Sequence, residues 1–225
     1  MNDNVGMETP ILILNLKNYE QALLNDGDRL LQACEKAIEQ TGKNIAVSPP
    51  LLDLINVNHE KESVYVLSQH VDPYSYGSHT GSVLPEHLDR IGVDGTLLNH
   101  SERRLDPSVI RKTVDRCNKL GLETIVCVQN HHEAERYSNW NPSYVAVEPP
   151  ELIGGDVSIS SAKPELVEKS VEKAHPVPVL CGAGVHERRD VEKGIELGAE
   201  GVLLAHAVVE ADDPVSVLVD MVEGF

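Results

Sequence analysis

Apolar, β-branched runs only a few residues long recur along the chain: Ile11–Asn15, Ile45–Ser48, Val64–Ser68, Gly95–Asn99, Thr124–Val128, Tyr144–Glu148, Val177–Cys181 and Gly201–Ala205. The stretches between them carry apolar residues at helical spacing. Leu30, Leu31, Cys34, Ala37 and Ile38 fall on one helical face, as do Val109, Ile110, Val114, Cys117 and Leu120. Asp106-Pro107 reads as an N-cap followed by proline at the first helical position, and Gly121 as the matching C-cap. Lys163-Pro164 and Gly198 supply start and stop signals for two later helices.

The runs are apolar throughout and do not alternate, which predicts strands covered on both faces, as in a parallel sheet. Eight strands, each followed by a helix and with no linker-like stretch between, predict an α/β fold with one (β/α)8 barrel over residues 1–225. An open, doubly wound sheet is the competing arrangement. A closed sheet of eight uses every run and leaves no edge, so the barrel is favoured. The chain is short for this fold, and some helices must be brief.

Composition changes that picture little: 41% hydrophobic and 24% charged residues fit a folded globule. Charge changes it more. Nineteen Lys and Arg against 36 Asp and Glu leave a net charge of −17, which disfavours nucleic acid and anionic membrane as partners. An anionic substrate must then be caught by local devices. Cys34, Cys117, Cys127 and Cys181 lack CxxC spacing, the start of the chain lacks an export pattern, and the apolar runs are too short to span a bilayer. A reduced, cytoplasmic protein is expected. His131-His132 has no second ligand pair at metal spacing, so no metal site is expected there.

In this fold chemistry sits at the carboxyl ends of the strands. Strand one ends Asn15-Leu16-Lys17, where period two sends Asn15 and Lys17 to the barrel mouth and Leu16 outward; a plain surface lysine is the alternative. Strand four ends in His100, which would meet a helical turn opened by Ser101-Glu102, whose positive end favours the neutral imidazole. Strand six ends in Glu148, held extended by Pro149 and followed by an apolar, Gly-containing loop able to cover a base. A proline- and glycine-rich turn with an incidental Glu is the plainer reading. The last two strands run into Gly182-Ala183-Gly184 and Ala205-His206, small residues that let backbone amides and a helix N-terminus approach an anion.

These residues together resemble the triosephosphate isomerase family, in its compact archaeal form, from Asn15-Leu16-Lys17 to Ala211-Asp212-Asp213-Pro214. The most specific segments are Gln69-His70-Val71-Asp72 with Gly77-Ser78-His79-Thr80-Gly81, Leu97 to Glu102, Tyr144 to Gly154, and Val179 to Val185. The resemblance implies that Glu148 removes a proton beside the carbonyl of dihydroxyacetone phosphate, that His100 polarises the carbonyl, and that Lys17 and Asn15 hold the substrate. It implies phosphate-binding amides near Ile153, Gly184, Ala205 and His206, an orienting role for Glu102, and packing for Cys127. It calls for no cofactor and no metal. It also implies that the loop Gln69 to Pro85, with Thr80 in support, reaches a neighbouring subunit of a homodimer or homotetramer; a mobile surface loop is the alternative.

Three features depart from the family pattern: the stretch Gly154-Gly155-Asp156 in the covering loop, His206 in a phosphate loop that usually carries a small residue, and Leu16 in place of a frequent Phe. A Schiff-base aldolase of the same architecture would want Lys where this chain has Glu148. A barrel that had lost activity would have lost Lys17, His100 or Glu148, and all three are present.

Overall fold

A computed structural model describes residues 6–23, 25–153, 155 and 157–225. Eight parallel strands close in sequence order, β1 (Ile11–Asn15), β2 (Asn44–Ser48), β3 (Tyr65–Ser68), β4 (Gly95–Leu98), β5 (Glu123–Val128), β6 (Tyr144–Val147), β7 (Val179–Cys181) and β8 (Gly201–Leu204), with β8 returning to pair with β1. The closed alternative is therefore the right one, and no strand edge is left unpaired.

Alternation along the strands sorts side chains into two cores. Ile11, Ile13, Ala46, Leu67, Leu97, Ile125, Cys127, Tyr144, Ala146, Leu180 and Leu203 fill the barrel together with Met7. Leu12, Leu14, Leu16, Val47, Val66, Leu98, Val126, Val145, Val147, Val202 and their neighbours face the surrounding helices. Each fully buried Leu or Ile contributes about 1.5–3 kcal/mol of transfer free energy. At the floor the Tyr144 hydroxyl donates to the Met7 carbonyl, giving the phenol a partner inside an otherwise apolar layer.

The helices are α1 (Asn25–Thr41), α2 (Leu54–Glu60), α3 (Pro85–Ile91), α4 (Pro107–Leu120), α5 (His131–Ser138), α6 (Ile159–Ala162), α7 (Pro164–Ala174), α8 (Arg188–Glu196), α9 (His206–Val209) and α10 (Pro214–Val222). The expected face of α4 buries Ile110, Val114 and Cys117, and the helix stops at Gly121 in left-handed geometry. Asp106 does sit at the N-cap, but its side chain makes no capping bond; its carbonyl takes the amides of Val109 and Ile110. The short helices are α6 and α9.

Several strand ends fall inside the expected bounds. The strand β4 stops at Leu98 because Asn99 turns to φ 58°, and β7 begins at Val179 because Pro176 and Pro178 have no amide hydrogen to pair. Lys17 likewise departs from the extended backbone, with φ 49°. Its direction is therefore set by a left-handed turn, not by strand alternation.

Candidate active site

Two residues beyond the last apolar layer, the inward-facing positions turn polar or small. Ile13 is followed by Asn15, Leu67 by Gln69, Leu97 by Asn99, Ala146 by Glu148, Leu180 by Gly182 and Leu203 by Ala205. A small cleft opens over this layer, lined by Asn15, Lys17, His100, Glu148, Ile153, Gly184, Ala205 and His206 among others.

Lys17 is held by its own backbone. Its amide donates to Asn15 Oδ1 at 3.0 Å and its carbonyl accepts from Gln69 Nε2 at 2.8 Å. These two bonds stabilise a left-handed conformation that is unusual for a lysine. The ammonium then reaches Glu102 Oε1 at 2.9 Å, and the side chain lines the cleft.

Asn99 does the same service at the tip of β4. Its side chain donates to the Cys127 carbonyl at 2.8 Å and accepts from the Leu105 amide at 2.9 Å, while Arg104 Nη1 donates to the Asn99 carbonyl at 3.0 Å. His100 follows, buried. Residues 101–103 form a turn and not a helix, which corrects the expected helix terminus. The local device is a single amide: Glu102 N–H donates to His100 Nδ1 at 3.3 Å. Nδ1 is thus an acceptor and the ring proton sits on Nε2.

Nε2 points at Glu148 Oε1, 3.3 Å away. Glu148 is only 3% exposed, its amide donates to the Val128 carbonyl at 2.7 Å, and Oε2 accepts no hydrogen bond. An unpartnered carboxyl oxygen has a lone pair available to accept a proton. Gly182 makes its position possible, since a Cβ there would lie 2.6 Å from Glu148 Cγ. Beneath it, burial pushes the Cys127 thiol well above its usual range, and the Glu148 charge adds to the effect. Cys127 itself is fully buried in the inner core.

The phosphate-loop candidates line the same cleft. Gly184 has φ 65°, and any side chain there would land on the Val157 carbonyl. Ala205 precedes α9, whose first residue is His206. The His206 ring turns away toward solvent, with Nδ1 3.4 Å from Glu210 Oε2 and its face toward Tyr19.

Thr80 is exposed and does not line the cleft. Its loop is nevertheless tied, through Asp72 N–H to the Val83 carbonyl at 2.8 Å, Val83 N–H to Asp72 Oδ2 at 2.9 Å, and a stack of Tyr74 on His79. Of the covering loop, Gly154 and Asp156 lie outside the described residues.

Sequence reasoning missed Tyr19 and His186 on the cleft wall, Gln69 as the support of Lys17, and Gly182 as the residue that leaves room for Glu148. Gln69 and Gly182 were accessible from strand parity, two steps beyond Leu67 and Leu180. Tyr19 and His186 lie in loops, where no period points to them. Among the described residues no group of three or more His, Cys, Asp or Glu is arranged to hold a metal ion, and no helix is long and apolar enough to cross a membrane.

Residues 10–224 match the family model described as Triosephosphate isomerase. Proteins named triosephosphate isomerase are similar over nearly their whole length. That of Methanobacterium bryantii is 44% identical over 219 residues, covering 96% of each chain. That of Thermoplasma volcanium is 43% identical, covering 94% of this chain and 99% of its own. That of Methanopyrus kandleri is 43% identical, covering 97% and 99%.

Proposed function

This chain belongs to the triosephosphate isomerase family, and on that premise we propose that it interconverts dihydroxyacetone phosphate and D-glyceraldehyde 3-phosphate, with Glu148 as base and His100 as electrophile. The observation that carries the assignment of roles is the convergence of Glu148 and His100, 3.3 Å apart, on a cleft that Lys17 also lines.

Glu148 takes the proton from the hydroxyl-bearing carbon beside the ketone. The electron pair moves onto the carbonyl oxygen, where Nε2–H of His100 and the Lys17 ammonium meet the developing charge. His100 gives its Nε2 proton to the C2 oxygen and takes the proton of the C1 hydroxyl in return, while the carboxylic acid returns its proton to the neighbouring carbon, so that C1 becomes the aldehyde and C2 carries the hydroxyl. His100 acts as a donor whose ring proton is kept on Nε2 by the Glu102 amide. Glu102 orients the site a second time through its ion pair with Lys17. Asn15 holds the Lys17 turn in shape. The amides of Ile153, Gly184, Ala205 and His206 are assigned to the phosphate. Their support is their common place in the lining of the cleft and the position of Ala205 and His206 at the start of α9.

The proposal takes residues 1–225 as one catalytic domain working in a reducing cytoplasm, a reading supported by four free, buried cysteines. It further takes the protein to be a homodimer or homotetramer. Leu51, Leu52 and Ile55 after β2 and Tyr74 and Tyr76 after β3 are exposed, Leu52 by 91%, around loops at the same end of the barrel as the site. Thr80 would act from such a loop in the neighbouring subunit.

Glu148→Gln tests the base. The variant is expected to lose most turnover in a coupled triose phosphate assay while a phosphorylated substrate analogue still binds. Equal turnover of variant and wild type would remove Glu148 from its role. Light scattering that finds a fully active monomer would contradict the shared loop.

A further inference from the structure

Resting on the isomerase reading above, we propose that His186 is a positioning residue for the segment that covers Glu148, acting through a hydrogen bond from its ring to the Gly155 carbonyl. Nε2 lies 2.8 Å from that oxygen. A carbonyl can only accept, so Nε2 carries the proton whatever the charge of the ring. Both residues line the cleft.

The ring is aimed from behind. The His186 amide donates to Asp190 Oδ2 at 3.0 Å and the Glu187 amide to the same oxygen at 3.3 Å, within the capping box that starts α8. The Asp190 carbonyl in turn accepts from Ser160 Oγ at 3.0 Å, and the Ala183 carbonyl accepts from the Ile159 amide at 3.0 Å. The far end of the covering segment is therefore fastened through the first residues of α6, Ile159 to the β7–α8 loop and Ser160 to the first turn of α8. Val157 rests against the side-chain-free face of Gly184. His186 supplies a further tie, at Gly155, two residues from Ile153, whose amide is assigned to the phosphate. Removing the ring leaves Lys17, His100 and Glu148 in place and loosens the cover together with the Ile153 amide it carries.

An uncovered intermediate has an alternative fate. The enediolate electron pair can move into the carbon skeleton, the adjacent carbon–oxygen bond to phosphate breaks, and inorganic phosphate leaves with the bonding pair, giving the enol of methylglyoxal. Phosphate release per turnover therefore reads the cover separately from the chemistry.

The test compares wild type, His186→Ala and His186→Gln, whose amide nitrogen replaces Nε2 as donor. Each is assayed for isomerase turnover, inorganic phosphate release and amide hydrogen exchange of the peptide over residues 149–162. One neutral hydrogen bond corresponds to about three- to tenfold. H186A is expected to lose that much in kcat/KM, to release more phosphate per turnover by a similar factor, and to exchange faster; H186Q recovers most of each. His186→Met, which fills the space without a donor, replaces H186A if the latter does not fold. Folded H186A with unchanged kcat/KM, phosphate release and exchange overturns the proposal, as does H186Q impaired to the same degree as H186A. An inactive wild type would instead overturn the isomerase reading, and the exchange comparison would still decide whether His186 ties the segment.

Discussion

Gly182→Ala is the sharpest perturbation of the base, because the damage is confined to one contact. The new Cβ would stand 2.6 Å from Glu148 Cγ, 3.3 Å from the Val147 carbonyl oxygen and 3.4 Å from Glu148 Cδ. Unbonded carbons rest about 3.5–4.0 Å apart, so one side must give by about 1 Å. The backbone cannot supply this cheaply. Gly182 N–H is bonded to the Val147 carbonyl at 3.0 Å, and Glu148 N–H to the Val128 carbonyl at 2.7 Å. The Glu148 side chain must swing, and its 3.3 Å approach to His100 Nε2 opens. A base misplaced by about 1 Å costs on the order of 100-fold in rate. Overpacking by one methyl costs about 1–3 kcal/mol of stability. The expected result is therefore a kcat lower by about 30- to 100-fold, a nearly unchanged KM and a Tm lower by only a few degrees. Steady-state assays with thermal unfolding by circular dichroism measure all three. A folded variant with kcat within about twofold of wild type would refute the contact as the determinant of the base's position.

Other expectations concern stability and charge. Asp94 Oδ2 accepts from Lys61 Nζ at 2.6 Å and from the Val66 amide at 2.7 Å. Asp94→Ala should therefore cost about 1–3 kcal/mol in urea unfolding, because the amide of β3 loses its partner. Tyr144→Phe removes the hydroxyl bonded to the Met7 carbonyl and should cost about 1 kcal/mol by the same measurement. Burial, followed by the charge of Arg103, holds His70 below its ordinary value against the opposing pull of Asp72. The neutral ring's contribution is then present above the unfolded value of about 6.5 and is lost as pH falls from there through the folded value. The urea midpoint should drop between pH 7.5 and pH 5.5, and by less in His70→Asn. Because the screening length is about 8 Å at physiological salt, raising salt should change kcat/KM only modestly despite the −17 charge; a change beyond about tenfold would contradict local capture of the substrate.

The barrel was legible because its signal is local. An apolar run such as Ile11–Leu14 has to bury both faces, and a run of that kind followed by a helix has few ways to do so. Asn15, His100 and Glu148 stood out for the same reason, as polar groups at the tips of apolar strands. The resemblance to one family added the roles of Lys17 and of the phosphate-loop residues.

What lay beyond the sequence was set by contacts between residues far apart along it. Lys17 reaches the cleft through a left-handed turn closed by Gln69, 52 positions away. The proton on His100 is assigned by an amide in a turn where a helix end was expected. Glu148 fits only because Gly182, on the next strand, has no side chain. The positions of the strands follow from the recurrence of short apolar runs, and inward parity from the two-residue period of any extended chain, both properties of the chain itself. The direction of a side chain by one ångström, the tautomer of a ring and the tie between His186 and Gly155 depend on which backbone atoms closure of the barrel brings alongside, and only the folded structure decides that.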